Sequence, residues 1–438
     1  MASSRVVKLV KIRSLKEIGE DEMRNILERR AEIKKALRKV RKIVEEVKRN
    51  GDRALAKYTK KYDGVTIPPS KIKVSEEEVT EAYSKIREEV VNAIRFAAEN
   101  IRSFHEKQMA TFTIEKVPGV KLSQIIRPVE CAGIYIPGGR AAYPSTVLMA
   151  AIPARVAGVK KCIVCTPPNR DGSVWPEVLV ACNEVGVTDV FKVGGAQAIA
   201  AMAYGTETIP RADVVVGPGN IYVTAAKVLV SGDVKVDLPA GPSEILVLAD
   251  ESCNPHFVAA DLVSQAEHDP AASVILVTTS RRVAEKVMRL VYELAAKMGT
   301  RSAAVSVVDK GWCILVEDLD EGVKFVNRYA PEHLEIHVEK PHRILEKIIN
   351  AGAVFIGSYT PVVLGDYAAG SNHILPTGGY AKSFSGLSVE NFIKRISVVE
   401  CDRRGLEALS ESVIVLAEAE GMPAHAQAVR LRLRENES

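Results

Sequence analysis

The sequence is short of the features that would place the chain outside the ordinary globular class. No run approaches the roughly 18 consecutive apolar residues of a membrane-spanning helix. Lys8 and Lys11 interrupt the apolar start, which excludes a secretory signal core. Charge of one sign is also lacking: 59 Lys and Arg stand against 55 Asp and Glu, a net +4. Nucleic-acid binding needs a concentrated basic stripe, so neither a nucleic-acid partner nor a membrane is expected. Cysteine is sparse and odd in number, seven scattered over 438 residues, which excludes a disulfide framework and favours a reducing, cytoplasmic setting. Cys162 and Cys165 form a CxxC, but on a buried strand they point to opposite faces and are expected to be inert core residues. Neither GxGxxG nor GxxxxGK[ST] occurs, so the standard dinucleotide fingerprint and the P-loop are both absent.

What is present is a balanced globular composition, 47% apolar and 26% charged, at a length that suggests about three domains. The first 16 residues are basic and acid-free. They fit either a transit segment or a short strand or docking arm, and Val6, Leu9, Val10 and Ile12 favour the arm. Residues 21–50 read as an amphipathic helix ending at Asn50-Gly51, with the basic cluster 38–42 on a solvated face. A second helix starts at Ser75, where Glu78 completes a capping box. Its buried stripe is expected to run through Val79, Ala82, Ile86, Val90, Ile94, Ala97, Ile101 and Phe104. From residue 130 short apolar runs alternate with helical segments. Strands are expected at 131–136, 162–165, 190–193 and 214–216, then at 245–248, 274–277, 314–316, 334–338 and 354–356, with helices between them. That alternation predicts βαβ units and two parallel sheets. Residues 403–433 read as a helical tail.

Four glycine-rich turns lie at or near strand boundaries: Pro137-Gly138-Gly139, Gly194-Gly195-Ala196-Gln197, Gly217-Pro218-Gly219-Asn220 and Ala240-Gly241-Pro242-Ser243. Ligands of open α/β sheets sit at carboxyl ends of strands, and glycine lets backbone approach them. Four such turns point to a cleft, although tight connections alone also use glycine. Gln265 and His268 are three apart on a predicted helix and share a face. Asp366 and His373 flank a polar loop, and Glu420 and His425 lie between the C-terminal helices. Together these donors suit a borderline metal, while each alone also fits a cap or a packing residue. Glu332-His333 precedes a strand and is either an acid/base couple or a surface turn. His333, Glu335 and His337 share one strand face, with His337 expected to be half-exposed, and His105, His256 and His342 are read as structural.

These stretches closely resemble the histidinol dehydrogenase family. The matching motifs are Tyr135 to Gly139, Val193 to Ile199, Gly217 to Asn220, Pro239 to Glu244, Ser264 to His268, Ala330 to Leu334, Gly365 to His373 and Glu420 to His425, in unbroken order. Arg140, after the first glycine pair, is a position where members vary, and the arm before Glu20 matches poorly. The resemblance implies an α/β fold of two incomplete Rossmann-like parallel-sheet domains with N-terminal helices and a C-terminal helical tail. The expected boundaries are 1–125 for an arm and helices packing on the second domain, 126–238 for an NAD-side domain, 239–390 for a zinc and substrate domain, and 391–438 for a tail docking on a partner subunit.

The resemblance also implies NAD-dependent oxidation of L-histidinol through L-histidinaldehyde to L-histidine, in a zinc-dependent homodimer with a shared active site. It places zinc on Gln265, His268, Asp366 and His425, the last from the partner subunit. It places the acid/base pair on Glu332 and His333. Substrate contacts fall on Ser243, His373 and Glu420, besides the zinc ligands and Glu332, and NAD contacts on Tyr135, Gln197 and Asn220. The competing readings are a dehydrogenase of another amino alcohol and a two-lobed binding protein without catalysis.

Overall fold

The computed structural model describes residues 12–29, 33–139, 141–237, 241–298 and 311–434. Val6, Leu9, Val10, Arg140, Pro239 and Ala240 lie outside them. The chain begins with β1 (Ile12–Ser14), α1 (Glu20–Leu27), α2 (Ile33–Tyr62), α3 (Glu76–Lys85), α4 (Glu88–Glu106), β2 (Thr113–Val117) and β3 (Val120–Pro128). A first βαβ series follows: β4 (Cys131–Tyr135), α5 (Pro144–Val156), β5 (Lys161–Thr166), α6 (Pro176–Glu184), β6 (Asp189–Lys192), α7 (Gly195–Tyr204), β7 (Val214–Val216), α8 (Ile221–Val230) and β8 (Lys235–Val236). A second comprises β9 (Glu244–Ala249), α9 (Pro255–His268), β10 (Ser273–Thr278), α10 (Arg281–Met298), β11 (Trp312–Leu315), α11 (Leu319–Tyr329), β12 (His333–His337), α12 (Pro341–Leu345), β13 (Ala353–Ile356) and α13 (Val362–Tyr367). The chain closes with β14 (Ile393–Cys401), α14 (Arg403–Ala419) and α15 (Pro423–Arg434).

Both expected parallel sheets form. The first has the order β6-β5-β4-β7-β8 and the second β1-β11-β10-β9-β12-β13, parallel throughout. Setting β1 aside, each sheet steps outward from its first strand and then reverses, the order of half a doubly wound fold, with a switch point beside β4 and beside β9. The inner strands are buried on both faces because helices cover both: β9 and β4 are buried along their whole length, as is β12, although His333, Glu335 and His337 make one of its faces polar. Cys162 and Cys165 enter separate cores on opposite faces of β5, as expected, and burial raises both thiols, Cys162 to about 11.

Several local expectations are corrected. The first helix is two, α1 and α2, and α2 continues past Asn50. Gly51 (φ 47°, ψ −132°) breaks the helical path, but the Glu207 carboxylate accepts the Asp52 N–H at 2.7 Å and restarts it. The capping box at Ser75 forms: the Glu78 N–H donates to Ser75 Oγ at 3.3 Å, and the Ser75 N–H to Glu78 Oε2 at 3.0 Å. That helix ends at Ile86, in extended conformation, and α4 begins afresh. Its buried stripe turns from Ile101 to His105, leaving Phe104 49% exposed. Helices α2 to α4 pack mainly on the first sheet's helices: Val40, Val44, Val47 and Leu55 of α2 share a core with α7 and α8, while α4 also reaches residues expected in the second domain, Asn100 Nδ2 donating to the Ala368 carbonyl at 2.8 Å. Among the described residues, β1 and α1 join the second sheet and its core. Residues 391–438 are not helical throughout, because β14 pairs antiparallel with β3, which in turn pairs with β2. This third sheet was not expected: β2 is almost wholly exposed and lacks an apolar alternation.

Candidate active site

The first half presents a cleft of about 1120 Å³ at the carboxyl ends of β4, β5, β6 and β7. Three of the four glycine turns shape it, and Tyr135, Gln197 and Asn220 all line it. Tyr135 closes β4, and its hydroxyl accepts the Gly195 N–H at 3.0 Å, tying two turns together. Asn220 caps α8, its Oδ1 accepting the N–H groups of Tyr222 at 3.0 Å and Val223 at 3.2 Å. Gln197 is 1% exposed, and neither its amide nitrogen nor its oxygen has a protein partner. The turn at Gly217 is clamped: its N–H donates to Asp237 Oδ2 at 2.8 Å, and the buried Lys227 ammonium bonds both its carbonyl and Asp237.

Sequence reasoning missed the cleft's outer wall. Lys39 and Lys42 lie there with Lys61 and Arg170, so part of the cluster read as a solvated face borders the cavity. Their i, i+3 spacing beside buried Val40 was the available signal. Asp63 lines the same wall, and burial raises its carboxyl to about 6.

The second group of candidates gathers at the opposite edge of the second sheet, at the amino ends of β9 and β12. This reverses the carboxyl-end rule from which the cleft was expected. His333 is the first residue of β12, and Glu332 and His333 are both buried, not on a surface turn. Glu332 Oε2 accepts the Glu244 backbone N–H at 2.7 Å, and His333 Nδ1 bonds the Glu244 carbonyl at 2.9 Å. A carbonyl only accepts, so Nδ1 carries the proton and Nε2 its lone pair. That Nε2 has no hydrogen-bond partner and faces Asp366 Oδ1 at 3.8 Å. Burial lowers His333 to about 4, with His268 and His373 adding to the effect. Burial also holds Glu332 well above the carboxylate range, with Glu244 and Asp366 reinforcing it against the backbone hydrogen bond. Two titratable groups displaced from their ordinary values in one place mark a functional centre.

Around this pair the last turn of α9 supplies Gln265 and His268. Gln265 is 2% exposed with an unpartnered Oε1, while His268 is exposed at the helix end. Asp366, on α13, is raised by burial to about 7. Its carbonyl accepts His373 Nδ1–H at 2.9 Å, and His373 Nε2 meets Thr146 Oγ1 at 3.2 Å. Ser243 lies just before β9, half-buried. Glu420 caps the end of α14 and His425 lies in the first turn of α15; both are exposed, and the two helices pack chiefly on each other. An unpartnered buried amide oxygen, a buried carboxyl and an imidazole are donor types that suit zinc.

Among the described residues, the group whose ligand atoms all lie within 4.8 Å of one another is instead Asp261, Glu335 and His337. Asp261 is one turn before Gln265 on α9. His337 is 2% exposed, not half-exposed as expected, because β12 is an inner strand between β9 and β13. Its Nε2 lies 3.3 Å from Glu335 Oε2, and the Val362 N–H donates to Glu335 Oε1 at 2.9 Å. Burial and the adjacent Glu335 push the Asp261 carboxyl up. His105 is structural as read, buried and bonded to Gln108 at 3.0 Å.

Residues 27–433 match the family model described as histidinol dehydrogenase. The histidinol dehydrogenase of Methanocaldococcus jannaschii is 48% identical over 97% of this chain and 99% of its own length, and that of Methanosarcina mazei 49% over 96% and 97%. The crystal structure of histidinol dehydrogenase from Elizabethkingia anophelis superposes with a TM-score of 0.92 at 40% identity, covering 98% of this chain and 99% of that one. With a family match over nearly its whole length and relatives near half identity, the chain belongs to the histidinol dehydrogenase family of oxidoreductases.

Proposed function

We propose that the chain oxidises L-histidinol through L-histidinaldehyde to L-histidine with two NAD, the closing steps of histidine biosynthesis, as a zinc-dependent homodimer in the cytoplasm. The observation that carries the reading is the buried Glu332–His333 pair, oriented by one residue's backbone, with His333 Nε2 unpartnered 3.8 Å from Asp366. When bound, zinc supplies a Lewis-acid template for the substrate's imidazole and amino nitrogens, and NAD accepts the hydride at each oxidation. Gln265, His268 and Asp366 would hold the metal, with His425 of the partner subunit as the fourth ligand. Tyr135, Gln197 and Asn220 would hold NAD, and Ser243, His373 and Glu420 the substrate.

His333 Nε2, unprotonated at neutral pH, takes the proton of the alcohol hydroxyl in the first oxidation. Glu332 takes a proton from water adding to the aldehyde in the second. Burial, which holds this carboxyl above its ordinary range, makes its ionised form a stronger proton acceptor. Seven unbridged cysteines, six of them buried, suit a reducing compartment, and among the described residues no helix is long and apolar enough to cross a membrane. The exposed His425, with Val413, Leu416 and Leu431 exposed on α14 and α15, supports a tail that completes the site of a second copy.

The test separates the two oxidations. Glu332→Gln should slow oxidation of supplied histidinaldehyde by about 10²–10⁴ while sparing its reduction by NADH, whereas His333→Asn slows both. Equal losses in the two directions for Glu332→Gln remove water activation from Glu332.

A further inference from the structure

The acid/base pair is built on a residue that has no part in the chemistry. Glu244 opens β9, and its backbone is the shared platform: its N–H holds Glu332 and its carbonyl holds His333. Ser243 precedes it directly. Whatever fixes Glu244 therefore fixes the reacting groups. Its side chain is held in a clamp. Arg29 Nε donates to Glu244 Oε1 at 2.8 Å and Arg29 Nη2 to Oε2 at 2.9 Å, a bidentate pair whose side chains are 10% and 4% exposed. The Gly378 N–H adds a third bond to Oε1 at 2.9 Å.

The guanidinium is itself immobilised. Nη2 also donates to the Tyr329 carbonyl at 3.1 Å, and the group's central carbon lies 3.3 Å over the Tyr329 ring. Tyr329 is 1% exposed, and its hydroxyl meets Ser273 Oγ at 2.9 Å. A planar fork of this kind resists rotation as a single hydrogen bond cannot.

We propose that Arg29, acting through Glu244, is a positioning residue that sets the register of Glu332 and His333 for proton transfer. This rests on the function proposed above. The ligands proposed for zinc stand on α9 and α13, with His425 of the partner subunit on α15, and none is on β9. Loosening the clamp should therefore misplace the acid/base pair while leaving most substrate binding in place, since of the three proposed substrate contacts only Ser243 adjoins Glu244. A misplacement of about 1 Å can cost about 10²-fold in rate.

The experiment compares Arg29→Met, Arg29→Lys and the double variant Arg29→Met/Glu244→Gln in the zinc-loaded full chain. Arg29→Met should lower kcat for histidinol by about 10- to 100-fold, with KM within about threefold. Arg29→Lys keeps the charge without the fork and should fall between. The double variant removes the unpaired buried charge, so its melting temperature should return toward the parent while kcat stays low. A merely structural role predicts the opposite, kcat recovering in step with stability. A second readout is independent of turnover. In protein with ¹⁵N-labelled histidine, the slowly exchanging His333 Nδ1–H resonance, assigned through His333→Asn, should persist in Arg29→Lys and broaden or vanish in both Met variants. An unchanged resonance in the Met variants, or a kcat that tracks melting temperature, overturns the clamp. A parent protein that forms no NADH with histidinol removes the proposed function instead, and the resonance still decides whether Arg29 positions His333.

Discussion

Gln197 offers the most direct test of where NAD sits, because two consequences of one substitution should have opposite signs. The side chain is 1% exposed, yet both ends of its amide lack a protein partner. A buried polar atom without a partner costs about 1–3 kcal/mol, and a hydrogen bond made on binding nets about 0.5–1.5 kcal/mol. Methionine approximates the shape without the amide. Gln197→Met should therefore raise the melting temperature of the cofactor-free chain. It should also forfeit two bonds to NAD, about 1–3 kcal/mol, which is about 5- to 150-fold in Kd at 1.4 kcal/mol per tenfold. Calorimetric titration with NAD alone and thermal melts of both proteins measure the two quantities without turnover. A variant that melts below the parent and binds NAD equally well would show that Gln197 is a packing residue and that the cofactor lies elsewhere.

Three further outcomes are expected. His268→Asn and His425→Asn proteins, each inactive, should regain partial NAD reduction when mixed, because a hybrid dimer has one site carrying both defects and one carrying neither; a fully active monomer contradicts the shared site. Gly217→Ala should destabilise by at least about 1–3 kcal/mol and disrupt NAD binding, since its φ is +117° and a Cβ there would meet the Tyr135 carbonyl at 2.1 Å; a stable, binding variant shows that the turn can shift. Asp63 has a carboxyl raised from 3.8 to about 6 by burial, so its contribution is fully present below about pH 3.8 and lost as pH rises through 6. Asp63→Asn should accordingly melt above the parent at pH 8 and with it near pH 4, and equal melting temperatures at pH 8 would refute the burial argument.

How much could be read in the sequence depends on whether the signal is local. The βαβ series was legible because buried strands such as Val214–Val216 are short apolar runs bounded by glycine turns. The sheet of β2, β3 and β14 was not, because its strands are half-exposed and its pairing joins distant segments. Glu332 and His333 drew notice as neighbours in a recognisable motif, and the zinc and NAD candidates through family resemblance. Their placement at the amino ends of β9 and β12 needed the fold, because α9 must run back along the sheet to bring Gln265 and His268 there. Arg29 and Glu244, 215 positions apart, carry no mark in sequence of their pairing. Nor do Asp261 and Glu335, whose union depends on a helix packing against a central strand. His337 was misjudged because alternation along one strand cannot tell an inner strand from an edge.

The pairing of β14 with β3 has a consequence for synthesis. Nine residue pairs join Val120–Pro128 to Ile393–Cys401, and Pro128 must wait for Ile393, 265 positions later. At about 5–20 residues per second a ribosome takes about 15–50 s to cover that distance. The first parallel sheet is complete long before, so the β2–β3 hairpin leaves the ribosome with one edge open. An open edge is a template for any passing strand. Two nascent chains on one message would each offer the edge the other lacks, so translation speed between residues 128 and 393 bears on how much of the protein reaches its native partner strand.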